Sequence, residues 1–281
     1  MSSRGSSPVE DHGNMFAEPE DYYPPTPPPT TQEYTTHDGK TITLHLVGFS
    51  PTEAHHLWNG ARVISDYFET NPDVVRGKTV LELGAGAGLP SIVAAVLGAK
   101  KVVMTDYPDN DIVEVMWKNV DGCDLLLPRQ PSGDAEPEGQ SGQRNLIAKG
   151  YIWGYSAAPL LAELPEGHAK FDILILADLL FRHTEHGHLL DTIRDTLGRT
   201  PESKAFVFFT SYRPWLRHKD LAFFDLARER GFVVDKVLER VMERPMFEDD
   251  PGDEEVRKTC TGWEVRWPQE ECAEESGVKA G

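Results

Sequence analysis

The run Thr79-Val80-Leu81-Glu82-Leu83-Gly84-Ala85-Gly86-Ala87-Gly88-Leu89-Pro90 decides the fold. Thr79–Leu83 is mostly apolar without alternation, which predicts a strand buried on both faces. Three glycines at alternate positions then interrupt it. Glycine turns the chain sharply and brings backbone close to a ligand, because no Cβ stands in the way. Pro90–Leu97 has helical spacing, with Pro90 in the first turn, where a missing N–H costs little, and Gly98 as the stop. A strand, a glycine loop and a helix form the unit with which an α/β sheet binds a nucleotide-like ligand at the carboxyl end of its strands.

The same alternation continues outward. Lys101–Thr105 predicts a strand and Asp109–Asn119 a helix. Strands follow at Ala148–Trp153 and Phe171–Ala177, a helix at Glu185–Leu197, a strand at Ala205–Thr210, and a helix at Asp220–Arg230 ending at Gly231. Phe232–Val241 and Thr259–Trp267 are two closing strands. This order predicts an α/β protein with a doubly wound, mostly parallel sheet. Upstream, Tyr34–Leu46 predicts a hairpin turning at Asp38-Gly39, with Ile42, Leu44 and Leu46 on one face. Residues 52–70 predict a helix, with Thr52 as N-cap, Glu53 in the first turn and Asn71-Pro72 as the end. The expected organisation is one domain over residues 15–268, extended at its N-terminus by the hairpin and helix. Residues 1–14 are expected to be disordered, Pro24–Pro29 a stiff arm, 121–145 a surface insertion, and 269–281 a flexible acidic tail.

The 281 residues carry a formal net charge of −18, which argues against a general nucleic-acid binder and suits a basic partner. Three cysteines, odd in number and without a Cys-x-x-Cys pair, give no zinc or disulfide framework. No apolar leader core is present and no stretch approaches ~18 apolar residues, so a cytoplasmic protein without membrane contact is expected.

The glycine loop narrows the cofactor. A dinucleotide fingerprint would place its third glycine at Leu89, and Pro90 removes a donor from the helix start; no Gly-Lys-Ser/Thr follows for a P-loop. Asp106 closes the second strand, where a carboxylate can accept hydrogen bonds from both ribose hydroxyls of an adenosine. Dehydrogenases and methyltransferases share that device. A purely structural alternative is that Asp106 caps the turn before Pro108.

Leu81–Leu89, read with Asp106, resembles motif I of the seven-strand S-adenosylmethionine methyltransferases, in which the Glu-x-Gly-x-Gly loop holds the methionine end of the cofactor. That resemblance implies a Rossmann-like seven-strand methyltransferase fold, S-adenosylmethionine as cofactor, and Glu82, Gly84, Ala85 and Gly86 around it. His55-His56-Leu57-Trp58-Asn59, Gly150-Tyr151-Ile152-Trp153-Gly154 and Ala177-Asp178-Leu179-Leu180-Phe181 are similar to segments of the family-16 protein methyltransferases. There the two tryptophans, here Trp58 and Trp153, flank the cofactor, and the residue matching Ala177 supplies only backbone. Phe208–Trp215 and Pro245–Asp253 carry a closer similarity, to the fungal nicotinamide N-methyltransferase-like subgroup, whose members methylate the N-terminal glycine and adjacent lysine of translation elongation factor 1-alpha. The implied partner is that factor and the implied state a monomer. A small-molecule N-methyltransferase is the alternative; a non-catalytic scaffold and an oxidoreductase fit less well.

An amine acceptor must be presented in neutral form, and an N-terminal amine, with a reference pKa near ~7.7–8.0, needs less help than lysine. No dedicated base is required. Asp178 is expected to orient the amine, with Phe181 packed beside it. His183, His186 and His188 are spaced for a metal but lack a carboxylate or cysteine partner, Glu185 being expected to point away along the helix; no metal site is assigned. Glu248, Asp249, Asp250, Asp253, Glu254 and Glu255 form an acidic run that suits docking of a basic terminus.

Overall fold

A computed structural model describes residues 27–126 and 145–272. The expectations for residues 1–14, for Pro24–Thr26, for most of the insertion and for the tail beyond Cys272 lie outside these. Asp121 still belongs to a helix, so the insertion begins later than its composition suggested. Gln269–Glu271 forms a 3-10 turn tied down by Arg199 Nη1 to Glu271 Oε2 at 2.6 Å, where flexibility was expected.

The chain opens with a hairpin of β1 (Thr30–Thr35) and β2 (Thr41–Leu46), antiparallel in register from Thr30↔Leu46 to Thr35↔Thr41. Gly39 takes φ +81° in its turn, and Ile42, Leu44 and Leu46 point into the core. Helix α1 covers Asn59–Thr70, starting seven residues after the expected Thr52. The Thr52 hydroxyl is held by that of Ser50 at 2.8 Å, and Glu53 has φ +67°, which no right-handed helix continues through. Leu57 fits the helical spacing but is buried in the irregular segment just ahead of α1 instead.

The alternation then runs β3 (Thr79–Leu83), α2 (Leu89–Val96), β4 (Lys101–Asp106), α3 (Asn110–Asp121), β5 (Leu146–Gly150), the one-turn α4 (Ala158–Leu161), β6 (Ile173–Ala177), α5 (His186–Thr196), β7 (Lys204–Thr210), α6 (Arg217–Glu229), β8 (Val233–Val241), α7 (Glu254–Arg257) and β9 (Thr259–Arg266). This is the expected order except for the two short helices α4 and α7, which were not expected. Asp109 caps α3, its carboxylate accepting the Asp111 N–H at 2.9 Å. Strand β5 ends at Gly150, so Trp153 lies in the turn after it and not within the strand.

One seven-stranded sheet has the order β5-β4-β3-β6-β7-β9-β8. Its first five strands are parallel, and β9 runs antiparallel between β7 and β8. The order reverses at β3, whose neighbours are β4 on one side and β6 on the other, so the carboxyl end of β3 faces the crevice of a doubly wound sheet. Every residue of β3, β4 and β6 is buried, as strands covered on both faces require. Side chains from alternate positions feed two apolar layers. Val80, Val102 and Ile175 pack with the hairpin, α1, α2 and α3; Leu81, Leu83, Val103 and Leu176 pack with α5 and α6. Among the described residues no helix is long and apolar enough to cross a membrane.

Candidate active site

The glycine loop leaves β3 in a conformation that requires its glycines: Gly84, Gly86 and Gly88 have φ of +62°, +53° and +80°. A Cβ on Gly84 would stand 2.5 Å from Leu179 Cδ2 and 3.1 Å from Trp153 Cζ2, so the loop and these side chains share one narrow space. The Ala85 N–H is bonded to the Thr105 carbonyl at 2.9 Å, which pins the loop to β4.

Two buried carboxyl groups brace it. Asp106, at the end of β4, accepts the Gly86 N–H through Oδ2 and the Tyr107 N–H through Oδ1, both at 2.7 Å. One carboxylate therefore ties the loop and also stabilises the turn before Pro108. Each oxygen keeps a second lone pair, available to ribose hydroxyls. Burial raises the Asp106 pKa. Glu82 sits beneath the loop, 1% exposed, and takes both the N–H of Ser91, at 3.0 Å, and its hydroxyl. Desolvation pushes its pKa up to about 8. The primary contact of Glu82 is thus the start of α2, which it holds against the loop.

A cavity of about 240 Å³ opens over this framework, lined by Trp58, Glu82, Gly84, Ala85, Gly86, Asp106, Trp153, Ala177, Asp178 and Phe181. All eight residues expected to hold the cofactor meet there, together with the two assigned to the acceptor. Carboxylates at the strand ends, left-handed glycines and flanking aromatic rings fit S-adenosylmethionine: Asp106 would hold its ribose, the loop from Gly84 to Gly86 its methionine end, and Trp58 and Trp153 its flanks. Tyr107 and Ile152, exposed at 52% and 37%, and the turn carrying Ala54 and His56 complete the walls. The sequence reading assigned none of these four. For Tyr107, an aromatic residue directly after the strand-end Asp106 was the available signal.

Asp178, expected to orient the amine, lines the cavity with its carboxyl already engaged by the protein. It has φ +53° and is 5% exposed. Its Oδ2 accepts the Gly60 N–H at 2.5 Å, its Oδ1 accepts the Thr210 N–H at 2.8 Å, and the Tyr212 hydroxyl also donates to it. Three of about four acceptor sites are committed, because the chain reversal after β6 turns the side chain inward toward α1 and β7. Desolvation pushes its pKa up to about 7 despite these donors. The group clasps α1 to β7 at the wall of the cavity. Phe181 is half-buried and stacks on Trp58 at 6.4 Å.

The three spaced histidines do not converge. His183 Nε2 meets Asp220 Oδ1 at 2.7 Å, His186 Nε2 meets the Leu180 carbonyl at 2.8 Å, and His188 Nδ1 meets Glu185 Oε2 at 3.0 Å. Glu185, expected to point away, pairs with His188 because it lies in a 3-10 turn ahead of α5. Among the described residues, the group whose ligand atoms do lie close together is Glu53, His55 and His56.

A family model described as lysine methyltransferase matches residues 38–129, which contain β2 of the hairpin, α1 and the whole glycine loop. The protein N-terminal and lysine N-methyltransferase efm7 of Neurospora crassa is 63% identical over 95% of this chain and 92% of its own length. The enzyme of that name from Schizosaccharomyces pombe is 40% identical over 90% of this chain and 95% of its own. The chain belongs to the lysine methyltransferase family. A solved structure from Streptococcus mutans, described as an S-adenosylmethionine-dependent methyltransferase, superimposes with a TM-score of 0.50 at 11% identity, covering 86% of this chain and 56% of that one, which supports the fold. This member of the lysine methyltransferase family is an S-adenosylmethionine-dependent protein methyltransferase. When bound, the cofactor supplies an electrophilic methyl group. The protein supplies position: the glycine loop and Asp106 fix one end of the cavity, and the Asp178 clasp ties α1 to β7 at its wall.

Proposed function

We propose that this enzyme methylates the N-terminal glycine and the adjacent lysine of translation elongation factor 1-alpha, acting as a monomer in the cytoplasm. The observation that carries this reading is the position of the acidic segment. Phe247 packs against Trp58 at 5.7 Å, and Asp250 lines a second cavity, about 390 Å³, that shares Glu53, His56, Trp58, Asp178 and Phe181 with the first. The acidic run therefore begins at the mouth of the cofactor cavity, where a basic peptide terminus would enter.

Of its six acids, Glu248 pairs with Arg244 at 2.9 Å, Asp253 caps α7, and Glu254 and Glu255 pair with Lys258 at 3.6 and 2.6 Å. Asp249 and Asp250 have no ion pair among the described residues, and the docking role falls on them. Both relatives are named for N-terminal and lysine methylation, and the similarity at Phe208–Trp215 and Pro245–Asp253 supports the particular substrate. Trp58, Trp153 and the loop from Glu82 to Gly86 would hold the cofactor, Phe181 would touch the acceptor, and Asp178 would position it through α1 and β7. A neutral amine forms by proton loss to water before attack, so no residue is assigned as base. Mass spectrometry of the N-terminal peptide of elongation factor 1-alpha, incubated with S-adenosylmethionine and enzyme, tests the reading. Methyl groups on the first two residues are expected; an unmodified terminus, with label in small molecules instead, would overturn it.

A further inference from the structure

The second cavity is walled by aromatic rings from four separate segments: Trp58 ahead of α1, Phe181 after β6, Tyr212 after β7 and Phe247 between β8 and β9. Their centroids lie close around one space, with Trp58 at 4.9 Å from Tyr212, 5.7 Å from Phe247 and 6.4 Å from Phe181, and Tyr212 at 6.0 Å from Phe247. Interplanar angles of 58° to 70° set Trp58, Tyr212 and Phe247 as adjoining walls, while Phe181 lies near-parallel to Trp58 at 25°. None of the four is fully buried, as ordinary core rings would be. His56 closes a corner edge-on to Trp58 and Phe247 at 5.3 Å from each; burial lowers its pKa, so it adds a neutral ring and not a repelling charge.

The polar groups on the same walls include three carboxyls, Glu53 and Asp250 together with the buried Asp178, beside Thr210 and Arg213. Arg213 lines the same chamber and keeps its positive charge, its Nη2 donating to the Phe181 carbonyl at 3.1 Å. Aromatic faces with carboxylates at the rim attract a weakly hydrated cation.

We propose that this chamber is a subsite selective for an alkylated ammonium, so that the acceptor nitrogen is held more firmly once it carries methyl groups. Each methyl added removes a hydrogen-bond donor that water would satisfy and widens the diffuse positive surface that the rings recognise. A partly methylated acceptor thus leaves the chamber more slowly than the unmodified one. The inference rests on the proposed function for the identity of the acceptor, but not for the selectivity of the chamber.

The probe pair is choline and its neutral carbon isostere, 3,3-dimethylbutan-1-ol, titrated by calorimetry into the full chain loaded with S-adenosylhomocysteine. Choline is expected to bind about 3- to 30-fold more tightly. Phe247→Leu, which keeps apolar volume but removes a ring, should abolish most of that preference, and Phe247→Tyr should retain it. Equal binding of the two probes, or a preference unchanged in Phe247→Leu, overturns the proposal; if Phe247→Leu fails to fold, Phe181→Leu, which also removes a ring and no hydrogen-bonding group, carries the same test. A peptide beginning Gly-Lys distinguishes the two readings. If it accepts no methyl group while the choline preference persists, the proposed substrate fails and the chamber stands. If it is methylated without any choline preference, the chamber fails alone.

Discussion

At Gly84 the absence of one carbon decides whether the cavity exists. Its φ of +62° is costly for any L side chain, and a Cβ would drive into Leu179 and Trp153. Gly84→Ala is expected to weaken S-adenosylhomocysteine binding at least about tenfold and to lower stability by about 1–3 kcal/mol, read by calorimetry and thermal melting. Asp178 is the second decisive residue. Asparagine has its shape but substitutes two N–H donors for one oxygen, which then face the N–H of Gly60 or Thr210 with nothing to accept. Asp178→Asn should therefore destabilise the chain by about 1–3 kcal/mol. It should also raise acceptor KM more than it changes cofactor affinity, because the clasp orders the acceptor walls. A cofactor Kd that weakened in step with KM would contradict this role.

Among the elements, the hairpin and α3 meet the glycine loop through one side chain. Asn119 is buried; its Oδ1 accepts the His45 N–H at 2.7 Å, and its Nδ2 donates to the carbonyls of His45 at 2.9 Å and Ala87 at 3.0 Å. Asn119→Ala leaves those backbone groups without partners, a loss of about 2–3 kcal/mol. It should also increase amide exchange in both residues 41–46 and the loop 84–88, whereas a local effect would be confined to α3. Helix α1 shows why element boundaries were harder to read than elements. Its apolar spacing extends back to Leu57, but Glu53 at φ +67° and the Trp58 indole bonded to the Glu53 carbonyl at 3.0 Å fold residues 52–58 into the cavity wall. That turn brings His56 and Trp58 to the site, and a helix from Thr52 would not.

Across the whole molecule, two buried carboxyls set the pH response. Glu82 and Asp178 have pKa values raised to about 8 and about 7, so the native state binds their protons more tightly than the unfolded chain does. Stability from these groups is greatest at low pH and falls as pH rises from about 4 to about 8. The melting temperature should therefore be lower at pH 9 than at pH 6, and Glu82→Gln, which keeps an acceptor for Ser91 but cannot ionise, should flatten that decline. An equal decline in the variant would remove Glu82 as its source. The charge of −18 acts over a longer range. Asp249→Asn with Asp250→Asn should raise the KM of a Gly-Lys peptide several-fold at low salt and much less at high salt, because exposed charges are screened.

The sequence by itself determined the α/β alternation, the glycine loop and the strand-end Asp106, since each depends on local rules: apolar runs bury strands, glycine permits positive φ, and a carboxylate ending a strand stays near its turn. Resemblance to a known family added part of the cavity lining, through Trp58, Trp153 and the segment from Ala177 to Phe181, but not Ala54, His56, Tyr107 or Ile152. Only the tertiary structure decided what those side chains face. Asp178 reads as an available acid after a strand, yet its oxygens are taken by Gly60 and Thr210, which lie 118 and 32 residues away. His183, His186 and His188 read as a cluster, yet each finds a different partner. The aromatic chamber joins rings from Trp58 to Phe247, which only the packing of α1 against the sheet and the crossing from β8 to β9 bring together. Spacing along a chain constrains neighbours within a few residues; contacts across a hundred are set by how strands and helices stack.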